Sequence, residues 1–146
     1  MATPVITEQD IRIFLMDKKE LNPLLDGVRW DTKDIEQAVI NAISYFNDSP
    51  PHTGNAYTVE NFPYRYILLI GTAGHLLRSA AINEGSNQLD YSASGVQVQD
   101  KNKAELFVRM GGAYWDEFKE MTRMVKLNQA ANSIYGTIGS EFGWRG

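Results

Sequence analysis

The stretch "FPYRYILLIGTAGHLLRSAAINEG", residues 62–85, decides the fold class. Pro63 stands at or near the first helical position, where its missing N–H costs nothing. From Ile67 to Ala81 the segment is apolar nearly all round, which marks a central helix covered by several neighbours. Gly71 and Gly74 each cost about 1 kcal/mol against Ala in a helix interior, so they are expected to let another backbone come close.

The neighbours lie on either side. Thr7, with Asp10 three residues on, reads as an N-cap for a short first helix carrying Ile11, Phe14 and Leu15, ended by "ELNPLLDG". Asp31 or Thr32 caps the next helix, where Ile35, Ala38, Val39, Ala42, Ile43 and Phe46 share one face until Pro50 and Pro51 stop it. Asp100 caps a long last helix with apolar positions at Leu106, Phe107, Met110, Ala113, Tyr114, Phe118, Met121, Met124, Val125 and Leu127. Gly111 and Gly112 in its middle are candidates for a bend.

Two segments do not read as helix. In "SNQLDYSASGVQVQ", Val96 and Val98 alternate with Gln97 and Gln99 after Gly95, the pattern of a short strand or hairpin arm. After Asn132 the chain becomes "SIYGTIGSEFGWRG", Gly-rich with Ile, Tyr, Phe and Trp between. The predicted organisation is mainly α: four helices over residues 1–132 with one short β-like arm at 86–99 between the last two, then an extended C-terminal tail over 133–146.

With 146 residues, 43% of them hydrophobic and 22% charged, the chain reads as one soluble domain large enough for its own core. No apolar run reaches the roughly 18 residues of a membrane span, and "MATPVITEQD" lacks the basic and apolar parts of a signal peptide, so a cytosolic protein is expected. The absence of cysteine removes disulfides, thiolate nucleophiles and cysteine-based zinc sites. A net charge of −4 argues against a surface that grips nucleic acid, but not against DNA passing close by.

Catalytic patterns are not found. His75 lies on the most apolar helix without an orienting acid or a second ligand at helical spacing, and reads as a satisfied core or interface histidine. Asp116, Glu117 and Glu120 interleave with Lys119 and Arg123 as a solvated face. No catalytic residue, metal site or cofactor is expected, and no enzyme. The aromatics of the tail instead suit insertion into pockets on another chain, with Trp, Tyr and Arg as the usual anchors. A tail that is disordered or packs on its own body is the alternative.

Taken together, "IRIFLMDKKELNPLLDGVRWDTKDIEQAV", "YFNDSPP", "FPYRYILLIGTAGHLLRSAA", "NQLDYSASGVQVQDKNKAE" and "GTIGSEFGWR" resemble the head–tail connector, or neck adaptor, proteins of tailed bacteriophages. The resemblance covers most of the chain from Ile11 to Arg145 and is one of layout, not of a catalytic signature. It implies an adaptor-type helical bundle that assembles, typically as twelve copies, into a ring between the portal of the head and the tail, around the DNA channel. Implied partners are other copies, the portal, a downstream neck or tail protein, and genomic DNA without sequence-specific binding, with no membrane; the implied location is the virion neck, after synthesis in the host cytoplasm. By position, Tyr135, Ile138, Phe142, Trp144 and Arg145 would be anchors on portal or neighbour, and Ser92, Ser94, Val96, Gln97, Val98 and Gln99 subunit-contact residues. Another virion component, such as a head-completion stopper, tail terminator or baseplate protein, is the alternative function.

Overall fold

The computed structural model describes the backbone of residues 4–21, 27–86, 90–93, 96–99 and 101–142, and the side chains of residues 4–21, 27–84 and 103–132. Helix α1 spans Glu8–Phe14. Its N-terminus is a reciprocal capping box: Thr7 Oγ1 accepts from the Asp10 amide at 3.2 Å, and Asp10 Oδ2 accepts from the Thr7 amide at 2.9 Å. Beyond α1, Met16 takes a left-handed conformation with φ of 55° and a single 3-10 turn covers Lys19–Leu21. Helix α2 spans Thr32–Asp48, and of the two possible caps Asp31 fills the role, its Oδ1 accepting from the Asp34 amide at 2.8 Å. Ile35, Ala38, Val39, Ala42, Ile43 and Phe46 are its buried face, as their spacing predicts.

Helix α3, Arg65–Ser86, is the centre of the molecule. Residues from Ile67 to Ala81 are buried on nearly every side, against α2 on one flank and α4, Lys101–Phe142, on the other. Pro63 lies two residues before the first turn of α3. The α3–α4 crossing is close because glycine stands at the contact. A Cβ at Gly74 would meet the Trp115 amide nitrogen at 2.9 Å, and one at Gly71 would meet the Phe118 ring at 2.6 Å. From the other side, a Cβ at Gly111 would sit 3.0 Å from the Arg78 backbone nitrogen. Gly112 has open space around it.

The far end of the core is aromatic. Phe46, Tyr57, Phe62 and Tyr64 pack edge to face or tilted, Phe46 and Phe62 with centroids 5.1 Å apart. The loop carrying Tyr57 is fastened to α2 by the Asn47 amide, which donates to the Tyr57 carbonyl and accepts from the Tyr57 amide, both at 2.9 Å.

The fold predicted from the sequence needs correction in two places. The segment expected to be an extended tail is helical: α4 is a single 42-residue helix that crosses residue 132 and runs to Phe142. No proline follows Pro63, and a helix already under way adds one hydrogen bond per residue without a new nucleus. Ser, Thr and Gly therefore reduce the gain per residue and do not stop the helix. The second correction concerns the short β-like arm expected at 86–99 between the last two helices: it is no element of the body, which is all-helical. The body is four helices, and residues 90–93 and 96–99 form only a two-strand antiparallel pair, β1 with β2, in which Ala93 pairs with Val96. Each strand takes its hydrogen bonds from the other.

The crossing gives a paired expectation. Gly74→Ala meets backbone that cannot rotate away and should destabilise the protein by about 1–3 kcal/mol in urea denaturation. Gly112→Ala meets nothing and should stabilise it by up to about 1 kcal/mol through helix propensity. Equal effects at the two positions would refute the crossing.

Candidate functional site

Two kinds of surface compete for a functional role: a polar cleft beside α3 and the outer face of α4. The cleft, about 370 Å³, lies between the 28–30 loop, α2 and α3, with Trp30, Asp34, Gln37, His75, Ser79 and Glu84 on its walls. Its loop wall is positioned by Asp17, whose side chain is only 1% exposed. Asp17 accepts from the Arg29 amide at 2.7 Å, the Trp30 amide at 3.1 Å and Arg12 Nη1 at 2.9 Å, so this charge is buried with its partners in place. Arg29 then reaches Glu84 on α3 at 3.0 Å and lies 4.9 Å from the Phe107 ring centroid.

His75 stands at the cleft floor. The Asn41 amide nitrogen is 3.0 Å from His75 Nε2, which accepts from it when the ring proton is on Nδ1. Burial, seconded by the Arg78 charge, lowers the His75 pKa from its ordinary value. The ring packs 6.1 Å from that of Trp115, over which Arg78 lies at 5.2 Å. This is a satisfied, structurally engaged imidazole. Among the described residues there is no group of three or more His, Asp or Glu side chains placed to hold a metal ion. Nor is any helix among them long and apolar enough to cross a membrane.

Helix α4 is apolar along two stripes, which the sequence reading merged into one. Phe107, Tyr114, Phe118, Met121 and Val125 pack on the core. Leu106, Met110, Met124 and Leu127, expected with them, are 49%, 39%, 59% and 47% exposed. Splitting the positions at about 100° per residue separates the stripes, a signal present in the spacing. The charges expected on a solvated face are there: Lys119 pairs with Asp116 at 3.4 Å and Arg123 with Glu120 at 2.6 Å. At the α1 end, Met16 and Met110 edge a small groove of about 210 Å³ floored by Leu77, Phe107 and Tyr114.

The core stripe of α4 also carries polar groups that periodicity does not reveal. Lys126, 1% exposed, lies 5.3 Å over the Phe46 ring and 3.5 Å from the Asn47 carbonyl at the C-terminal end of α2. Burial lowers its pKa, and nearby Asp48 works weakly in the opposite direction. One turn on, Gln129 Nε2 donates to the hydroxyls of Tyr64 at 2.7 Å and Tyr57 at 3.1 Å. Of the contact residues proposed from the sequence, the side chains of Tyr135, Ile138, Phe142, Trp144, Arg145, Ser92, Ser94, Val96, Gln97, Val98 and Gln99 lie outside the described residues, as does the Asp100 cap.

The depressed His75 pKa sets a sign. The unfolded chain takes up a proton near pH 6.5 that the folded chain resists, so stability is complete above that pH and declines as pH falls from about 6.5 toward the folded-state value. Melting temperatures at pH 7.5 and 5.5 should therefore differ more for the wild type than for His75→Gln. For Lys126, whose folded-state pKa is likewise depressed, stability rises with pH up to its ordinary value near 10.5. Lys126→Met removes a buried charge at similar volume, and it should raise the melting temperature at pH 7 and flatten that rise.

No family model, curated protein or solved structure matches the chain.

Proposed function

We propose that this chain is a structural subunit of the neck of a tailed bacteriophage, an adaptor that joins the portal of the head to the tail within a ring of copies around the DNA channel. In this reading it has no catalytic role and no cofactor, and it acts through its surfaces. The observation that carries it is α4: a 42-residue helix, about 63 Å long, that leaves Met124 and Leu127 exposed on the face turned from its own core. Large apolar side chains in a row on an exposed helix face mark a surface meant for a protein partner. A heterologous ring needs such faces on every subunit, since each contact joins one patch to a different patch on the next copy.

The sequence resemblance to neck adaptors supports the same reading along most of the chain. A helix content above half weighs against a β-rich stopper or tail terminator. With a net charge of −4, the protein suits a channel wall that lets DNA slide without holding it. Residues 133–146 are the segment this reading assigns to portal or neighbour.

Light scattering after size-exclusion chromatography, on the protein alone and mixed with the portal of the same phage, tests the proposal. The expected result is a ring-sized mass in one or both samples. A protein that never enters a ring or a portal complex would exclude the adaptor role.

A further inference from the structure

We propose that Gln37, Asn41 and His75 form a reversible hydrogen-bonded chain that keeps α2 tied to α3 in both charge states of the imidazole, by turning over the two amides. The chain crosses from one helix to the other. Gln37 Nε2 donates to Asn41 Oδ1 at 2.9 Å, one turn along α2, and Asn41 Nδ2 stands 3.0 Å from His75 Nε2 on α3. With its oxygen taken by Gln37, Asn41 offers the ring only donor hydrogens. This direction of the chain therefore puts the proton of the neutral ring on Nδ1 and leaves Nε2 to accept.

A charged imidazole cannot keep that direction. Both of its nitrogens carry hydrogen, so Nε2 becomes a donor and would face the donor hydrogens of Asn41. The remedy is local. The oxygen and nitrogen of an amide are nearly the same size, and turning the amide over exchanges them in place about a broad terminal torsion. Asn41 Oδ1 then accepts from Nε2, and Asn41 Nδ2 points at Gln37. Gln37 is exposed on α2, so it too can turn and present its oxygen. Every bond of the chain is remade with donor and acceptor exchanged. One proton is taken up, from water in the cleft that His75 lines, and none is released.

The surrounding charges set how acidic the step must be. From α3, Arg78 opposes a second positive charge, while the Glu84 carboxylate in the same cleft is paired with Arg29 of the 28–30 loop. From α2, Asp34 lines the cleft, and from α4 the ring meets the uncharged indole of Trp115. Burial, with Arg78, places the midpoint below the ordinary value near 6.5. Reversal keeps the tie between the helices but leaves these costs in place, so the acid-side loss of stability still applies. It also alters the cleft wall. Gln37 presents its carbonyl oxygen to the cleft when the ring is neutral and its NH₂ when the ring is charged.

Side-chain NMR of the full-length, ¹⁵N-labelled protein between about pH 8 and pH 5 tests the chain. His52 is the only other histidine, so His52→Gln assigns the ring signals. Above the midpoint, Nε2 should resonate as an unprotonated acceptor, and the Asn41 NH₂ protons should show Overhauser contacts with the His75 ring. Below it, both ring nitrogens should carry hydrogen, those contacts should be lost, and the Asn41 NH₂ should contact the Gln37 side chain instead. The Gln37 NH₂ signals should shift with the same midpoint. In Asn41→Leu, His75 should still titrate while the Gln37 signals lose their response. A neutral ring with its proton on Nε2 would overturn the proposal, as would Asn41 contacts that persist unchanged through the titration. So would a Gln37 amide that follows His75 in Asn41→Leu as it does in the wild type. The wild-type contacts decide the matter alone if that variant does not fold.

Discussion

The close crossing of α3 and α4 is the constraint on which the rest of the structure depends. With glycine at 71, 74 and 111, backbone meets backbone and ring, and the helices sit nearer than any side chain would allow. That approach places Trp115 and Phe118 against Tyr45 of α2, with centroids 5.2 and 5.5 Å away, so a single contact fixes three helices. Each glycine sacrifices about 1 kcal/mol of helix propensity. Burial of Phe118, fully enclosed at 0% exposure, offsets this, since deleting such a side chain costs about 3–5 kcal/mol.

Around that crossing, the loops are held by single polar side chains that act as brackets. Asp17 ties the 29–30 backbone to α1, and Asn47 ties the Tyr57 backbone to α2. Gln129 joins Tyr57 and Tyr64 to α4. Each satisfies groups that burial would otherwise leave unpaired, at a cost comparable to the bonds themselves. Lys126 is less well served, with one long contact to a carbonyl and an aromatic face.

What the sequence makes legible follows from this division. The buried face of α2 and the all-round burial of α3 are written in hydrophobic spacing, and the α3 glycines announce a close approach. Asp17 and Lys126 are not legible, because periodicity scores charged residues as surface and cannot see the partners that make burial possible. The two stripes of α4 look like one in the sequence because an apolar residue carries no label for the body it faces. The helical course of residues 133–142 is not legible for a different reason: low propensity forecasts where a helix would fail to start, not where one already about 30 residues long will end. Residues 90–93 and 96–99 pair with each other, which leaves them less to offer a neighbour than a lone strand would have.

The two stripes give α4 a mechanical consequence. Its inner stripe is locked to α3 by the glycine crossing, and Met124 and Leu127 of its outer stripe follow about one and two turns after Glu120 on the same continuous helix. An α-helix does not twist freely about its axis, because rotation of one residue by 100° breaks the hydrogen bonds that define it. The direction in which Met124 and Leu127 face is therefore set by Gly74 and Gly111, 13 or more residues away along α4 in the case of Gly111. Any partner seated on the outer stripe inherits a fixed orientation relative to the whole body. Repeated from copy to copy, a fixed orientation gives a regular assembly, which closes into a ring where the rotation between copies divides a full turn. The glycines of the core thus govern the geometry of the surface, although none of them reaches it.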